Sequence, residues 1–292
     1  IVIGMLVVGI VSIVLSLQSS NSLLKTAMQG TADIAAGRVH YELTSYIQIA
    51  TAAGQNQVLG SDEFPLDEKE EYINQLATNN NMTRGNLLDL DGNSYFDGKN
   101  YSDREYFQRA VAGESFVSTP TLSKVTGELS ILVAAPVYQD GDTSKPIIGV
   151  VYFVPEETFL NDIMTSIHVS ENSEAFMIDK DGMTIADVTL ETVGVRNIEQ
   201  EANADASLKD LATYMADMRA GNSGVGQYTI NGTTKLIAYA PVNNTDGWSV
   251  GIVVLESDFM GAVYTSAIII GILIVVVVLI GVFVAIRMAT SI

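Results

Sequence analysis

Two stretches of the sequence follow the same pattern: LLDLDGNSYFDG at residues 87–98 and FMIDKDGMTIAD at residues 176–187. In both, an apolar run leads into a D-x-D-G turn, and a second short run follows that turn. Extended runs joined by an Asp-Gly turn are typical of β-hairpins. The first aspartates of the two turns, Asp89 and Asp179, are 90 residues apart. The sequence therefore predicts two hairpins of one kind and indicates that the chain contains a duplicated unit.

Further landmarks recur in the same order in the two halves. Two long apolar strands in the first half have counterparts in the second: 129–138 and 147–154 against 234–244 and 248–255. A segment with helical potential precedes each pair of strands, at 103–112 and at 207–220, and a glycine follows each segment as a stop signal. Because each half combines antiparallel hairpins with a helix, the predicted fold class is α+β.

Both ends of the chain are apolar enough to cross a membrane. Residues 267–286, AIIIGILIVVVVLIGVFVAI, contain no charged or polar side chain, and residues 1–17 contain no charge and two hydroxyls. A bilayer core of about 30 Å needs roughly 20 apolar residues in a helix. We predict transmembrane helices at 1–17 and 261–288, with Arg287 at the cytoplasmic edge and 289–292 as the start of a cytoplasmic part. Residues 1–17 also fit a signal peptide, but no clear cleavage site follows them.

The region between the spans divides into a helix and two modules. Apolar residues recur every three or four positions from Leu24 to Ala50, which predicts a long amphipathic helix over 18–60. An alternative is a helix that breaks at Gly37 or Gly54. The remaining predicted segments are a first module at 61–155, a linking helix at 156–170 with Pro155 at its start, and a second module at 171–260.

The composition argues against several classes of function. The formal net charge is −19, and a surface this acidic repels nucleic acid. The chain has no cysteine and only two histidines, which argues against a disulfide framework, a histidine-based hydrolase and a multi-histidine zinc site. The D-x-D-G turns lack the further acidic positions of an EF-hand loop, so Asx-type turns explain them better than calcium binding. We expect no enzyme activity, no cofactor and no metal.

Several short motifs carry a resemblance to a known family. They are D-R-E-Y-F (103–107), Gly113, S-T-P (118–120), T-G (126–127), A-P (135–136) and G-V-V (149–151). With two spans, a long helix and two modules around these motifs, the chain resembles the double Cache sensor domain of bacterial chemoreceptors and sensor kinases over about residues 20–265. The resemblance implies two tandem PAS-like (Cache) modules outside the cell. It also implies that the module farther from the membrane binds a small metabolite.

The resemblance further implies ligand-binding positions in the first module. By position they are Arg104, Tyr106, Phe107, Ser118, Thr121 and Ser123, with Tyr101 and Tyr152 on the same side. An Arg fork binds a carboxylate or a carbonyl edge through two hydrogen bonds, and aromatic rings line pockets and stack on flat ligands. Arg104 has a structural alternative, in which it pairs with Asp103 or Glu105.

The sequence departs from the pattern that the resemblance implies for amino-acid-binding members. Those members have an Arg, a Trp-Tyr pair, a Tyr-x-Asp in the next strand and a final Asp, and the acids hold the ammonium group of the ligand. Here the pair is Tyr106-Phe107, the Tyr-x-Asp positions are Thr121 and Ser123, and the final position falls near Val154. Because a buried ammonium without an acidic partner is costly, a carboxylate or a nucleobase-like ligand is favoured over an amino acid.

These observations predict a transmembrane chemosensory receptor in a bacterial cell membrane. We expect it to bind a small molecule outside the cell, to form a homodimer along its long helix, and to signal through the second span to cytoplasmic partners. One alternative is the sensor part of a histidine kinase or a diguanylate cyclase, which would differ only beyond residue 292. An alternative of another class is a membrane-anchored adhesin or scaffold that uses its acidic modules for protein contacts.

Overall fold

The computed structural model describes residues 2–127, 129–156 and 158–290. Residue 1 of the predicted span and residues 291–292 of the predicted cytoplasmic part lie outside the described residues. Within the described chain, a long helix is followed by two antiparallel sheets with helices packed on them, and a second long helix comes last. The predicted α+β class with a long N-terminal helix is confirmed.

A single helix, α1 (Val2–Gly54), joins the first predicted span to the long amphipathic helix. At 1.5 Å per residue, its 53 residues extend about 80 Å. The predicted end at residue 60 is corrected, because the helix passes through Gly37 and ends at Gly54, and a short helix, α2 (Gln57–Gly60), follows a break. The Asn56 side chain caps α2 by accepting a hydrogen bond from the Val58 N–H at 2.8 Å.

One face of α1 is buried against both halves of the protein. The predicted apolar stripe is confirmed, since residues such as Met28 and Val39 are almost fully buried in a core cluster that includes side chains of both sheets. Polar contacts extend along the helix in the same way. Gln29 donates to a backbone carbonyl of the second half at 3.3 Å, and Thr51 forms a 2.7 Å hydrogen bond with Ser115 of the first half. The helix therefore packs along both halves.

The first half contains a four-stranded antiparallel sheet. Its elements are α3 (Leu66–Asn79), β1 (Met82–Leu88), α4 (Glu105–Val111), β2 (Phe116–Val117), β3 (Thr121–Leu122), β4 (Leu129–Ser130), β5 (Val133–Tyr138) and β6 (Ile147–Pro155). The strand order is β1-β6-β5-β2, and β3 and β4 form a separate two-stranded sheet. Side chains alternate along each strand, so Val151 and Phe153 join the core on the α1 side, whereas Val150 and Tyr152 join the core beneath α4.

The second half contains a five-stranded antiparallel sheet. Its elements are α5 (Phe159–Thr165), β7 (Glu174–Ile178), β8 (Thr184–Asp187), α6 (Ile198–Glu201), α7 (Lys209–Arg219), β9 (Gly224–Ile230), β10 (Thr233–Pro241) and β11 (Ser249–Leu255). The strand order is β8-β7-β11-β10-β9. The helix α7 covers one face through Met215 and Met218, and α1 covers the other face. The order of strands and covering helix therefore repeats that of the first half.

The two predicted hairpins differ in the structure. The second turn joins β7 to β8 as expected, but the prediction of a strand after the first turn, within 93–98, is wrong. Isolated bridges alone connect Leu88 with Ser94 and Asn93 with Asn100 there. The side chains of Ser94 and Asp97 accept hydrogen bonds from backbone N–H groups two residues ahead. Such local bonds compete with strand pairing, so this polar segment folds as a series of turns.

The connection between the halves also differs from the prediction. The linking helix predicted at 156–170 is the shorter α5, and Pro155 ends β6 opposite Met82 rather than starting the helix. A register shift lies beside this pair, and irregular strand positions of that kind tolerate proline. The strand predicted at 129–138 is divided into β4 and β5, which belong to different sheets.

Two helices are long and apolar enough to cross a membrane: the stretches Val7–Gly54 and Glu256–Val284. The second belongs to α8 (Glu256–Ala289), which follows β11 directly and so begins before the predicted residue 261. Apolar side chains along both are exposed, as the 63% exposure of Ile268 illustrates. The helices pack closely, because a Cβ placed on Gly9 of α1 would lie 2.2 Å from the Ile274 side chain of α8.

Candidate functional site

A small cavity, the first cavity, lies between the first sheet and the segments that cover its α4 face. Its lining residues are Arg84, Tyr101, Arg104, Tyr106, Thr121, Ser123, Lys124, Val125, Leu132 and Tyr152. They come from β1, from the residues before and within α4, from β3 and the loop that follows it, and from β6. The enclosed volume is about 10 Å³, which is close to the space that one water molecule needs.

Three tyrosine rings fill most of this space. Tyr152 contacts both of the others, with its ring centre 5.7 Å from that of Tyr101 and 5.5 Å from that of Tyr106. Edge and tilted packing of this kind is favourable beyond the burial of apolar area. Burial raises the pKa of all three phenols, so each stays a neutral hydroxyl at physiological pH. The cavity therefore offers aromatic walls and neutral hydrogen-bonding groups.

A hydrogen-bond network behind the rings holds two of the tyrosines. Asn86 of β1 lies directly opposite Tyr152 of β6, and its Nδ2 donates to the Tyr152 hydroxyl and to Asp97 Oδ2, both at 3.1 Å. The Tyr101 hydroxyl donates to the same carboxylate oxygen at 2.5 Å. Burial alone would raise the pKa of Asp97, but the Tyr101 hydroxyl and further donors hold it below its usual value. The Asp97 carboxylate thus accepts hydrogen bonds from this network, and Asp97 does not line the cavity.

Two arginines reach the cavity from opposite sides. Arg84 of β1 donates from Nη2 to Ser123 Oγ at 2.9 Å, and Arg104 at the start of α4 donates from Nη1 to Thr121 Oγ1 at 3.1 Å. The Nε of Arg84 is buried and has no hydrogen-bond partner within the described residues. A buried donor in that state calls for a partner that protein atoms do not supply.

A third cation, Lys124, closes the outer side of the cavity. Its ammonium pairs with the Asp103 carboxylate at 2.5 Å and donates to the Asn100 carbonyl at 2.8 Å. It also lies 5.5 Å from the centre of the Tyr101 ring, within the range of a cation–π interaction. The hydrogen bond from Lys124 holds the pKa of Asp103 below its usual value. The loop after β3 is therefore held over the cavity by Lys124, together with the bonds from Arg84 to Ser123 and from Lys99 to the Lys124 carbonyl.

The structure brings together six of the eight residues predicted from the sequence. Tyr101, Arg104, Tyr106, Thr121, Ser123 and Tyr152 line the first cavity, whereas Phe107 and Ser118 do not. Phe107 is buried in the core between α4 and the sheet. Ser118 accepts a hydrogen bond from the Leu132 N–H at 3.0 Å and so holds two segments of the first half together.

Four lining residues are missing from the sequence prediction: Arg84, Lys124, Val125 and Leu132. Arg84 had a detectable signal, because Arg84, Asn86 and Leu88 alternate along β1 and share one face. Two polar side chains on the face that also carries a core leucine are unusual for a structural strand. The other three residues lie on connections whose course the sequence alone does not define.

The lining residues favour binding rather than catalysis. They provide three cations, three phenols and two hydroxyls, and no Asp, Glu or His is among the described residues that line the cavity. Guanidinium and ammonium groups in a desolvated site bind carboxylates and other anions through charge-assisted hydrogen bonds. Within the described parts of the chain, no group of acidic and histidine side chains is placed to hold a metal ion.

Comparison with known proteins agrees with this architecture. The family model dCache_1, described as a Cache domain, matches residues 16–263. Comparison with curated protein sequences found no match.

Among solved structures, the ligand-binding domain of the Pseudomonas fluorescens chemoreceptor CtaA in complex with L-isoleucine is similar, with a TM-score of 0.65 and 15% identity over 84% of this chain and 98% of that one. The sensory domain of the Campylobacter jejuni chemoreceptor Tlp3 with isoleucine bound has a TM-score of 0.61 and 14% identity over 83% and 96%. An extracellular ligand binding receptor from Desulfohalobium retbaense has a TM-score of 0.59 and 18% identity over 78% of this chain and 40% of that one. These similarities show a common fold.

Proposed function

The chain belongs to the Cache domain family, and from that premise we propose that it is the sensor part of a transmembrane chemoreceptor. It binds a small molecule outside the cell in the first cavity, which lies in the half farther from the membrane. The observation that carries this proposal is the convergence of Arg84, Arg104 and Lys124 on one enclosed site walled by tyrosines. The site has groups for holding a ligand, and the described residues that line it include no Asp, Glu or His.

The charge of the first cavity favours a carboxylate or a nucleobase-like ligand over an amino acid. CtaA and Tlp3 hold isoleucine in the solved complexes, and an α-amino acid carries an ammonium group that needs an acceptor. Thr121 and Ser123 supply hydroxyls, and Val154 is a fully buried apolar residue opposite Arg84. A carboxylate, by contrast, meets guanidinium donors directly, and the buried Nε of Arg84 is one donor that it would satisfy.

Ligand entry requires the cover of the first cavity to move. A volume of about 10 Å³ accommodates no metabolite, so the loop that carries Lys124 must release Asp103 and swing outward. A ligand that binds the open arrangement better than the closed one shifts the protein toward it, by no more than that difference in affinity. The second half lies between this loop and the membrane, and β11 continues into α8 without a linker. We propose that the shift reaches the cytoplasm along this route.

A thermal-shift screen of the full chain in detergent tests the binding proposal. We expect carboxylates or nucleobases to raise the unfolding temperature by several degrees, and α-amino acids to raise it little. Arg84→Ala and Arg104→Ala should each weaken binding of the best ligand at least tenfold, as expected for charge-assisted hydrogen bonds. Arg109→Ala is the matched control, because Arg109 also lies on α4 but pairs with Glu105 and Glu114 outside the cavity. Unchanged affinity in both cavity variants would exclude this site.

We further propose that two copies of the chain associate in parallel along α1. Opposite its buried stripe, α1 presents a row at alternating spacings of four and three residues, formed by Leu23, Ala27, Gly30, Ile34, Gly37 and Tyr41, of which Gly30 is half-buried and the others are exposed. Leu23, Ile34 and Tyr41 are each more than 70% exposed, and a Cβ on Gly30 or Gly37 would meet no atom within 4 Å. A 3.5-residue repeat of small and apolar residues is typical of a seam between two helices.

Single cysteines test this association, because residues 1–292 contain no cysteine. Ile34→Cys should form a disulfide-linked dimer under mild oxidation in membranes. Ala35→Cys, one position along but buried against the protein's own core, should not. Equal cross-linking of the two variants, or none with Ile34→Cys, would rule out this dimer.

A further inference from the structure

A second cavity, partly open to solvent, lies in the second half, at the position that corresponds to the first cavity. It is bounded by the second sheet, by α6 and by α7, and its volume is about 70 Å³. Six apolar side chains form most of its wall: Phe176, Ile178, Ile198, Leu211, Met215 and Val253. The remaining lining residues are Glu174, Thr184, Asp187, Arg196 and Tyr228. This second cavity therefore has a largely apolar wall and one polar side.

Two residues on the polar side are buried as a whole and have hydroxyls with no partner among the described residues, although the hydroxyl oxygens themselves are not fully buried. Thr184 is 4% exposed and Tyr228 is 5% exposed, yet neither hydroxyl makes a hydrogen bond within the described residues. Buried polar groups in native proteins are nearly always hydrogen-bonded, to protein, to water or to a ligand. Both hydroxyls belong to side chains that line the second cavity. An occupant with a polar head would supply the missing partner.

The charges around these hydroxyls are mainly negative. Asp187 accepts hydrogen bonds from the Thr189 N–H and the Thr192 hydroxyl, and it has no ion pair among the described residues. Glu174 pairs with Lys235 at 3.5 Å, and its side chain is 58% exposed. Asp187 is therefore available to a cationic group in the cavity, and Glu174, which is already paired, adds negative charge beside it.

The one cation on the wall is itself balanced. Arg196 pairs with Glu201 at 3.3 Å, so it adds little net positive charge. The pKa of the Tyr228 phenol reflects these charges. Burial is the main cause of its raised pKa, and the effect of the Glu174 carboxylate, which raises it further, exceeds the opposite effect of Arg196. The polar side of the second cavity thus favours a cationic group over an anionic one.

The size of the second cavity limits the occupant. An engineered cavity of about 150 Å³ holds benzene, and the second cavity has about half that volume. It suits a ligand of roughly three to five non-hydrogen atoms. Its apolar wall suits a short alkyl group.

We propose that the second cavity is a binding site for a small aliphatic amine in its ammonium form. The three N–H groups of the ammonium donate to the Asp187 carboxylate and to the hydroxyls of Thr184 and Tyr228, and the Glu174 carboxylate adds negative charge to the same side. The alkyl group lies against Phe176 and the aliphatic wall. The protein would then have two small-molecule sites with opposite charge preference, one in each half.

Isothermal titration calorimetry on the full chain in detergent tests this site with isobutylamine, isobutanol and isobutyrate, which share one alkyl group. At neutral pH an alkylamine is charged, as a Lys side chain is. We expect isobutylamine to bind at least tenfold more tightly than isobutanol, and isobutyrate not to bind in this cavity. Arg84→Ala, which alters the first cavity, should leave amine binding unchanged. This last result separates the site from the one proposed for carboxylates.

Substitutions that remove a polar group but keep the shape of the side chain test whether the amine binds in the second cavity. Thr184→Val and Tyr228→Phe remove hydroxyls that have no partner in the described residues, so the fold should persist while amine affinity falls about threefold or more. Asp187→Asn should reduce it at least tenfold. Tyr239→Phe is the control, because that hydroxyl bonds Asp217 and lies outside the cavity. The proposal is overturned if isobutyrate binds the Arg84→Ala protein as tightly as the amine does, if the amine does not bind, or if the Thr184 and Tyr228 variants bind the amine normally.

Discussion

The two halves of the protein share one arrangement of strands and helix, but their cavities are built differently. In the first half, three tyrosines and three cations occupy the space beneath the cover and leave about 10 Å³. In the second half, aliphatic side chains line about 70 Å³, and the polar side is mainly acidic. The hydroxyls of Tyr101 and Tyr152 are tied to Asp97 and Asn86, whereas that of Tyr228 has no partner among the described residues. The two halves therefore share the arrangement of strands and helix, but the side chains that line each cavity determine which chemical groups it can bind.

Alanine substitutions at two corresponding glycines have the largest expected effect on stability, and they test how similar the backbones of the two halves are. Gly149 of β6 and Gly251 of β11 occupy similar places, but a Cβ on Gly149 would lie 2.4 Å from the Leu88 carbonyl oxygen. A Cβ on Gly251 would meet the end of the Phe176 ring at 2.5 Å and the Met218 side chain at 3.1 Å. Backbone cannot move aside as a side chain can. Overpacking lowers the free energy of unfolding by about 1–3 kcal/mol. We expect the loss for Gly149→Ala at the upper end of this range and the loss for Gly251→Ala at the lower end.

Thermal unfolding of the full chain in detergent measures this difference. One kcal/mol corresponds to about 2–4 °C for a domain of this size. Equal losses in the two alanine variants would mean that the close approach of β1 and β6 at Gly149 is not a fixed feature of the first half.

Matched Tyr→Phe substitutions compare the polar sides of the two cavities. The Tyr152 hydroxyl accepts from Asn86 at 3.1 Å, so Tyr152→Phe should lower stability by about 1 kcal/mol, the usual net value of one hydrogen bond. Tyr228→Phe removes a hydroxyl that has no partner within the described residues and should change stability by no more than about 0.5 kcal/mol. Chemical denaturation of both variants gives the values. A larger loss in Tyr228→Phe than in Tyr152→Phe would contradict the contrast.

Substitutions in the two D-x-D-G turns have the smallest expected effect on stability. The pKa values of the first aspartates of the two turns are shifted in opposite directions. In both turns the first aspartate accepts two backbone N–H bonds through Oδ1. Asp89 Oδ2 also accepts from the Asn93 amide at 2.9 Å. Its hydrogen bonds outweigh burial and hold its pKa below the reference value of 3.8, whereas burial raises the pKa of Asp179 above 3.8. We expect Asp89→Asn to cost about 1 kcal/mol at neutral pH. Asp179→Asn keeps the accepting oxygen and should be neutral or stabilising.

The pH dependence follows from these directions. Asp89 contributes stability that is complete above its unfolded value near 3.8 and disappears as the pH falls through its lower folded pKa. The charged form of Asp179 is disfavoured in the fold, so stability rises as the pH falls through its raised folded pKa toward 3.8. NMR titration of the two carboxyls measures both values. Similar pKa values for both would show that the two turns are equally solvated.

Local patterns in the sequence were sufficient for the elements of the fold. The alternation of strands, the 3.6-residue stripe from Leu24 to Ala50 and the two apolar runs each depend on neighbours along the chain. The errors arose where side chains intervene. Residues after the first turn hydrogen-bond to their own backbone and form no strand, and Pro155 ends a strand instead of starting a helix.

The candidate site was only partly accessible from the sequence. The resemblance supplied positions near α4 and β3, and six of those residues share the cavity. It did not supply Arg84 or Lys124, because the first depends on which face of β1 turns toward α4 and the second on where a loop folds back. Phe107 and Ser118 belong to the same motifs but pack into the core or hold backbone segments together.

The sequence by itself determined two apolar runs long enough to cross a membrane, the duplicated α+β pattern and the family, since these follow from periodicity and short motifs. Only the tertiary structure decided the volume and charge of each cavity. A cavity is the space left by side chains from segments up to 79 residues apart, such as Glu174 of β7 and Val253 of β11. Its size is a small difference between large packed volumes, and no local pattern in the chain encodes that difference.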